Sequence, residues 1–295
     1  MPALAQTVKP LRGWMGAVAF GGGSEEGGGD PGGSFTGALD GSTTSLVGAW
    51  SAARRLLTSH TGALIRVRRS SDSTELDIAP DAAGDLDAAA LAAFVGGSSG
   101  YVTRIYDQAG AARDLIQATA SSQPRVMNAG VLDTENARPV CVFDGADDMM
   151  NAAYTAGGTL SLYQVAKLNS IGSYPMLLVL GDGDIELRGS AASGRPEFLS
   201  YGSSCIRATS SVGIYGQYSA SSAIPGMTQA WLDGVAFNTA VASGPSSITS
   251  VRLGARSGGY NAPMDFSELV LYSTAHDSTL RGGLQTIQKD YFATA

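Results

Sequence analysis

A chain of 295 residues, 44% hydrophobic and only 15% charged, has material for a large buried core. Its net charge of −7 and pI near 4.8 come with no Lys/Arg cluster able to track a phosphate backbone, so nucleic-acid binding is excluded as an expectation. No apolar run reaches membrane-span length, and the isolated His60 and His276 lack metal-ligand or triad spacing.

Residues 1–45 differ in composition from the rest. MPALAQTVKPLRGWMGAVAF shows no clear period, and its apolar run is too short and too glycine-broken for a targeting segment. GGGSEEGGGDPGG reads as a linker, because dense glycine buries too little to offset chain entropy. The expectation is an arm on residues 1–45 held by neighbouring subunits of an assembly; an arm packed on its own domain is the alternative. The remainder, 46–295, is expected to form one domain.

Along that domain, Leu46, Trp50, Ala53 and Leu57 stand at helical spacing, and ALIRVRR follows as a strand with Arg66, Arg68 and Arg69 facing solvent. DAAGDLDAAALAAFV, ending at Gly96-Gly97, predicts a helix over 81–95. YVTRIYDQAGAARDL is a strand closed by the turn chemistry of Asp107, Gln108 and Gly110. Strand-like runs continue from RPVCVFDGADDMM onward, with hairpins at Gly181–Asp184 and Asp233-Gly234. Cys141, in PVCVF, reads as a buried free thiol. A terminal helix places Leu280, Leu284, Ile287 and Tyr291 on one face, with Asp277 or Ser278 as cap. Many short strands, glycine turns and few helices predict a mainly β, antiparallel two-sheet sandwich.

ARRLLTSHTGALIRVRRSSDSTELDI and YVTRIYDQAGAARDLIQATASSQPRV resemble the start of the catalytic domain of family 54 α-L-arabinofuranosidases, over about residues 52–126. That family carries S-x-TGALYQVRRSSD and IYDQSG-x-GNHLTQA stretches. FDGADDMM, AWLDGVAFN and FSELVLYS resemble the broader concanavalin A-like lectin/glucanase jelly roll, which is common in phage tail and fibre proteins. The implied fold is that jelly roll.

The resemblance implies a nucleophilic Glu in an H-M-E-A-I strand, matched here by Asp184-Ile185-Glu186-Leu187. It also implies an acid/base Asp in a G-I-G-G-D turn, where this chain has Leu253-Gly254-Ala255-Arg256-Ser257 and no carboxylate. The family's vicinal cysteines are missing. Glu186 and Asp265 are the catalytic candidates; Glu268 is expected on a solvent face. Three functions compete. The first, and the expectation, is a virion protein (a phage tail or head fibre or spike, or its gene transfer agent counterpart) binding host-surface polysaccharide. Its partners would be other virion proteins through residues 1–45, in a homo-oligomer on the particle surface, extracellular after release. Asp182, Asp184, Tyr201, Tyr215, Tyr218, Tyr260 and Asn261 are the candidate sugar contacts. The second is a glycoside hydrolase acting on host capsule or arabinose-containing glycans, and the third a purely structural decoration protein. No cofactor is expected; calcium at Asp182/Asp184 or Asp147/Asp148 is an alternative to plain turn roles.

Overall fold

A computed structural model describes residues 35–157, 159–171, 174–181, 185–190, 194–200, 203–206, 215–223, 227–237, 247–256 and 259–294. The strands in chain order are β1 (Leu46–Ser51), β2 (Ile65–Arg69), β3 (Glu75–Ile78), β4 (Gly100–Ile105), β5 (Leu115–Ile116), β6 (Arg125–Asn128) and β7 (Val131–Leu132). Then come β8 (Thr134–Glu135), β9 (Arg138–Pro139), β10 (Cys141–Asp144), β11 (Met150–Gly157), β12 (Thr159–Leu168), β13 (Met176–Leu180) and β14 (Ile185–Ser190). The last are β15 (Arg195–Ser200), β16 (Ser203–Ile206), β17 (Tyr215–Ala223), β18 (Met227–Leu232), β19 (Val235–Ala236), β20 (Ser247–Leu253) and β21 (Pro263–Tyr272). Helix α1 spans Ala88–Val95 and α2 spans Ser278–Phe292.

Pairing is antiparallel throughout and arranges these strands as the expected two-sheet sandwich of jelly-roll type. In the first sheet β21 is central. One edge pairs with β12, followed outward by β17, β18 and β19; the other edge takes β1 and β10. The second sheet runs β16–β15–β14–β13–β20–β11–β5–β4–β2–β3, and β6 joins it to the first by pairing with both β4 and β10. Between the layers lies one apolar core, including Trp50, Phe143, Phe198, Phe266, Leu253 and Leu269. The Asp233-Gly234 turn has φ of 50° and 82°, the two positive values that a tight two-residue hairpin requires. Cys141 is a buried free thiol, its pKa raised by burial.

Several expectations fail for physical reasons. Residues 46–51 form a strand rather than a helix: Trp50 faces Leu269 and Ala49 faces Val270 across β21. Both faces of β1 are covered there, so the apolar residues need not alternate, and pairing overrides the accidental helical spacing. Helix α1 begins only at Ala88, where Asp87 accepts a hydrogen bond from the Ala90 N–H at 2.8 Å. Asp81, expected in the helix, instead accepts from the Ala83 and Asp85 N–H groups and builds a turn. Residues 35–45, counted with the arm, pack on the sandwich. Asp40 accepts from the Gly37 and Thr58 N–H groups, and the Arg55 guanidinium lies 3.6 Å from the Phe35 ring centre. Residues 1–34 lie outside the described residues.

The outer face of the first sheet is roofed by α2, capped by Asp277 as expected. Its buried residues are Leu284, Gln285, Gln288 and Phe292; of the expected stripe Leu284 is among them, while Leu280, Ile287 and Tyr291 are half-buried, because the sheet beneath is partly polar. Gln285 donates to Ser219 (2.7 Å), and Gln288 donates to Glu268 (3.1 Å) and accepts from Gln217 (3.0 Å). Glu268, expected in solvent, is fully buried there, gripped by Arg54 at 2.9 and 3.0 Å. Arg54 is buried with it, under the Tyr291 and Phe292 rings.

The family stretch at Asp107-Gln108 works as scaffold. Asp107 accepts from the N–H groups of Ala49 (3.1 Å), Ala109 (3.0 Å) and Arg113 (3.3 Å). Gln108 accepts from Leu56 N–H at 2.7 Å and donates to Arg54 C=O at 3.1 Å, serving an irregular buried segment. Gln108→Ala strands both backbone groups, so urea unfolding is expected to show a loss of about 2–4 kcal/mol; a loss within error of zero would show that they find other partners.

Asp265, on β21, gives a pH test. Burial raises its carboxyl to about 6 from 3.8, with Glu135 adding to the rise while Asn169 and Lys167 oppose it. The folded chain thus keeps a proton that the unfolded chain releases, so this group's contribution is present below the unfolded value and lost as pH climbs through the folded one. Asp265→Asn preserves an acceptor for Asn169 and removes the charge. It is expected to be near neutral at about pH 4 and stabilising by about 1–2 kcal/mol at about pH 7. The same shift at both pH values would refute the assignment.

Candidate active site

The second sheet has an outer face with no helix across it among the described residues. The pairing register places one row of residues on that face: Glu186, Val179, Arg252, Asn151, Ile116, Arg104, Arg66 and Asp77, one per strand from β14 to β3. Each of these strands turns its alternate residues inward, as Ile185 and Leu187 do on either side of Glu186.

Glu186 lies on the outer face yet is fully buried, because arginines cover it. One carboxylate oxygen meets Arg256 Nη1 at 3.0 Å and the other meets Arg188 Nη1 at 3.0 Å. Arg188 also binds Glu197, through Nε and Nη2, both at 2.7 Å, and its guanidinium lies 4.6 Å from the Tyr174 ring centre. The result is a charge chain, Glu197–Arg188–Glu186–Arg256. A buried carboxylate is tolerable only with such partners. Arg256, from the loop after β20, is its exposed end, with 38% of its side chain accessible. The sequence reading missed Arg188 and Glu197; the signal was there in the alternation Glu186-x-Arg188, which puts both on one face of a strand.

The expected pairing of Glu186 with Asp265 does not form. Asp265 pairs with Lys167 and Val142 on the outer face of the first sheet, while Met264 and Phe266 point into the core. The two carboxylates therefore stand on opposite outsides of the sandwich. Around Asp265 are Asn169 at 3.0 Å and Lys167, which is 3.8 Å away and 2.5 Å from Glu135.

The sugar-contact candidates are likewise dispersed. Tyr218 is in the core, and Tyr215 is buried against Phe292 with its hydroxyl bonded to Ser267. Both alternate with residues of a strand covered on both faces, which is why neither reaches solvent. Tyr260 is 48% exposed, and Asn261 donates to the Ala146 carbonyl in the loop after β10. Asp182, Asp184 and Tyr201 lie outside the described residues.

Asp144, Asp147 and Asp148 bring their oxygens within 4.8 Å of one another and form the one described cluster of a kind that could hold a cation such as calcium. All three also stitch their own loop. Asp148 accepts from Asp144 N–H, Asp144 from Ala146 N–H, and Asp147 from the Ser122 hydroxyl. Burial, reinforced by the charges of Asp144 and Asp147, pushes Asp148 up to about 6.

A shallow groove of about 510 Å³ opens farther along the Glu186 face, lined by Arg104, Arg113, Asp114, Ile116, Asn151 and three alanines. Arg104 meets Asp114 at 2.9 Å, and Asp114 in turn accepts from the Asp107 N–H. The sequence signal for this site was Arg113-Asp114, a charged pair directly after a Gly-Ala-Ala turn.

Comparison with known proteins bears on both the fold and the expected role. The family model described as "Alpha-L-arabinofuranosidase B, catalytic" matches residues 38–157. A probable α-L-arabinofuranosidase B of Aspergillus flavus is 43% identical over 76 residues, 25% of this chain and 15% of that protein. The α-L-arabinofuranosidase of Hypocrea jecorina is 41% identical over 75 residues, with the same shares of each chain. The match therefore spans only a small part of these relatives' length. Among solved structures, a mutant GH54 α-L-arabinofuranosidase soaked with 4-nitrophenyl α-L-arabinofuranoside aligns at a TM-score of 0.62. It is 17% identical, covering 84% of this chain and 62% of that one. An arabinofuranosidase complexed with arabinofuranosyl-α-1,2-xylobiose also aligns at 0.62, with 18% identity and coverages of 86% and 64%. These matches overturn the virion reading, with its fibre or spike role, receptor-binding and adsorption functions and particle-surface location, which rested on the glycine-rich start, the missing acid and a general jelly-roll resemblance: the relatives found are glycoside hydrolases. What this chain shares with those enzymes is the sandwich fold along most of its length and catalytic-domain sequence over residues 38–157.

Proposed function

We propose that this chain is a glycoside hydrolase acting on α-L-arabinofuranosides, with Glu186 as its nucleophile. The observation that carries the reading is the catalytic-domain match over residues 38–157, joined to a fold alignment with arabinofuranosidases over 84–86% of the chain. Glu186 supports it from the chemistry. A retaining glycosidase needs an ionised carboxylate facing the sugar, and Glu186 sits in two ion pairs on an outward strand position.

In that mechanism a glycoside displaces the exposed Arg256 and lies over the carboxylate. Glu186 Oε attacks the anomeric carbon, the bond to the leaving oxygen breaks, and water later cleaves the glycosyl ester. Arg188 stays in place and orients the carboxylate through its second anchor on Glu197. The acid is the weak part of the machinery. Arg256 stands where the resemblance calls for a carboxylic acid, and a guanidinium stabilises charge on a departing oxygen but gives up no proton. Asp265 supplies none either, from the opposite side of the sandwich. Leaving groups stable as anions are therefore the favoured substrates.

Release of 4-nitrophenol from 4-nitrophenyl α-L-arabinofuranoside tests this directly. Wild-type chain is expected to turn it over, and Glu186→Gln to lose on the order of 10³-fold or more; no release by folded wild-type chain would overturn the proposal. Arg256→Asp places a carboxyl beside Glu186, whose like charge raises its pKa toward that of an acid catalyst. Its rate on an arabinofuranosyl xylo-oligosaccharide, relative to the nitrophenyl substrate, is expected to rise by on the order of 10²-fold. An unchanged ratio would count against the missing acid as the bottleneck.

A further inference from the structure

The groove on the Glu186 face is not used by the chemistry above. Asn151 lies three strands from Glu186 in the cross-sheet row, about 14 Å at ordinary strand spacing. A single arabinofuranosyl unit over Glu186 does not reach it; the chain that bears such a unit does. The groove has the make-up of a sugar site. The alanines and Ile116, which is 42% exposed, offer an apolar floor for ring C–H groups, while Arg104, Asp114 and Asn151 supply donors and acceptors for hydroxyls.

Its charge is more specific. Arg104 is neutralised by Asp114 at 2.9 Å. Arg113 has no carboxylate partner among the described residues. One of its nitrogens donates to Val47 C=O at 2.7 Å, and its guanidinium lies 5.2 Å from the Tyr154 ring centre. Arg113, with no carboxylate on its guanidinium among the described residues, therefore lines the groove, in a chain whose net charge is −7. Its planar fork of N–H donors matches a carboxylate.

We propose that this groove binds a uronate residue of the glycan, a sugar ring carrying a carboxylate, with Arg113 as the anion contact and Asn151 beside it. The inference takes from the proposed function only that the substrate glycan lies along this face.

The test uses the Glu186→Gln chain, so that no substrate is consumed. The probe is a xylo-oligosaccharide bearing arabinofuranosyl and glucuronosyl groups, compared by calorimetry with the same oligosaccharide after reduction of its carboxyl groups. The acidic form is expected to bind about tenfold more tightly, as one charge-assisted contact allows. That preference is expected to vanish on adding Arg113→Gln, which keeps a donor for Val47 C=O. It is also expected to vanish on adding Asn151→Asp, a change at an exposed position that leaves the core untouched. Equal affinity for the two forms, or a preference that survives both substitutions in folded protein, overturns the inference. The nitrophenyl assay separates the two readings. Acid preference without hydrolysis by the wild-type chain leaves the groove standing and removes the catalytic reading; hydrolysis without acid preference does the reverse.

Discussion

The irregular half of this sandwich depends on one carboxylate. Where β4 ends, the chain leaves the sheet and would carry buried N–H groups with no strand to receive them. Asp107 gathers them: Ala49 from β1, then Ala109 and Arg113 from the loop that follows. Gln108 does the same for residues 54–56. Because Asp107 fixes Arg113 N–H while its own N–H is held by Asp114, the geometry of the groove is set by the residue that closes the strand. A motif whose role is architectural thus determines where a guanidinium and a carboxylate stand on the open face.

The two outer faces have opposite fates. Helix α2 roofs the first sheet, where Gln285 bonds Ser219, Gln288 bonds Gln217 and Glu268, and Arg54 pairs with Glu268. Such a buried pair is not in itself a source of stability, since desolvation offsets most of the attraction, but removing either partner would leave an uncompensated charge. Among the described residues no helix covers the second sheet, so the groove there is open to a large ligand, while Glu186 lies beneath its arginines. Asp265, for all its raised pKa, belongs to the roofed side.

The legible parts were those that local chemistry decides. Asp277 capping α2, the Asp233-Gly234 hairpin, the thiol of Cys141 and the scaffold role of Asp107 and Gln108 all follow from short-range rules. What could not be read was which strands are covered twice. That property hid Glu268, Tyr215 and Tyr218, and it made β1 resemble a helix, because strict alternation disappears when both faces are buried. Sheet membership was equally invisible: Glu186 and Asp265 each sit at an outward strand position, and only topology separates them. The functional expectation failed at a different point. The absence of an acid at Arg256 and the glycine-rich start are features many unrelated chains share, whereas the family-like stretch over about residues 52–126 is the more discriminating signal.

The pairing of β1 with β21 has a kinetic consequence. Arg54 and Glu268 are 214 positions apart, and β1, β10 and β12 all wait on β21 for hydrogen-bond partners. The first sheet therefore cannot close while the chain is still being synthesised through its middle, and its contacts are of the long-range kind associated with slow folding. Until β21 arrives, β1 has no strand partner and β12, paired only with β17, keeps one edge open, exposed to adhesion between nascent chains. The stretch that matches the arabinofuranosidase model, residues 38–157, contains β1 and β10 but not β21. It is recognisable as a sequence yet incomplete as a folding unit, and excised alone it would present the β21-facing edges of β1 and β10 to solvent.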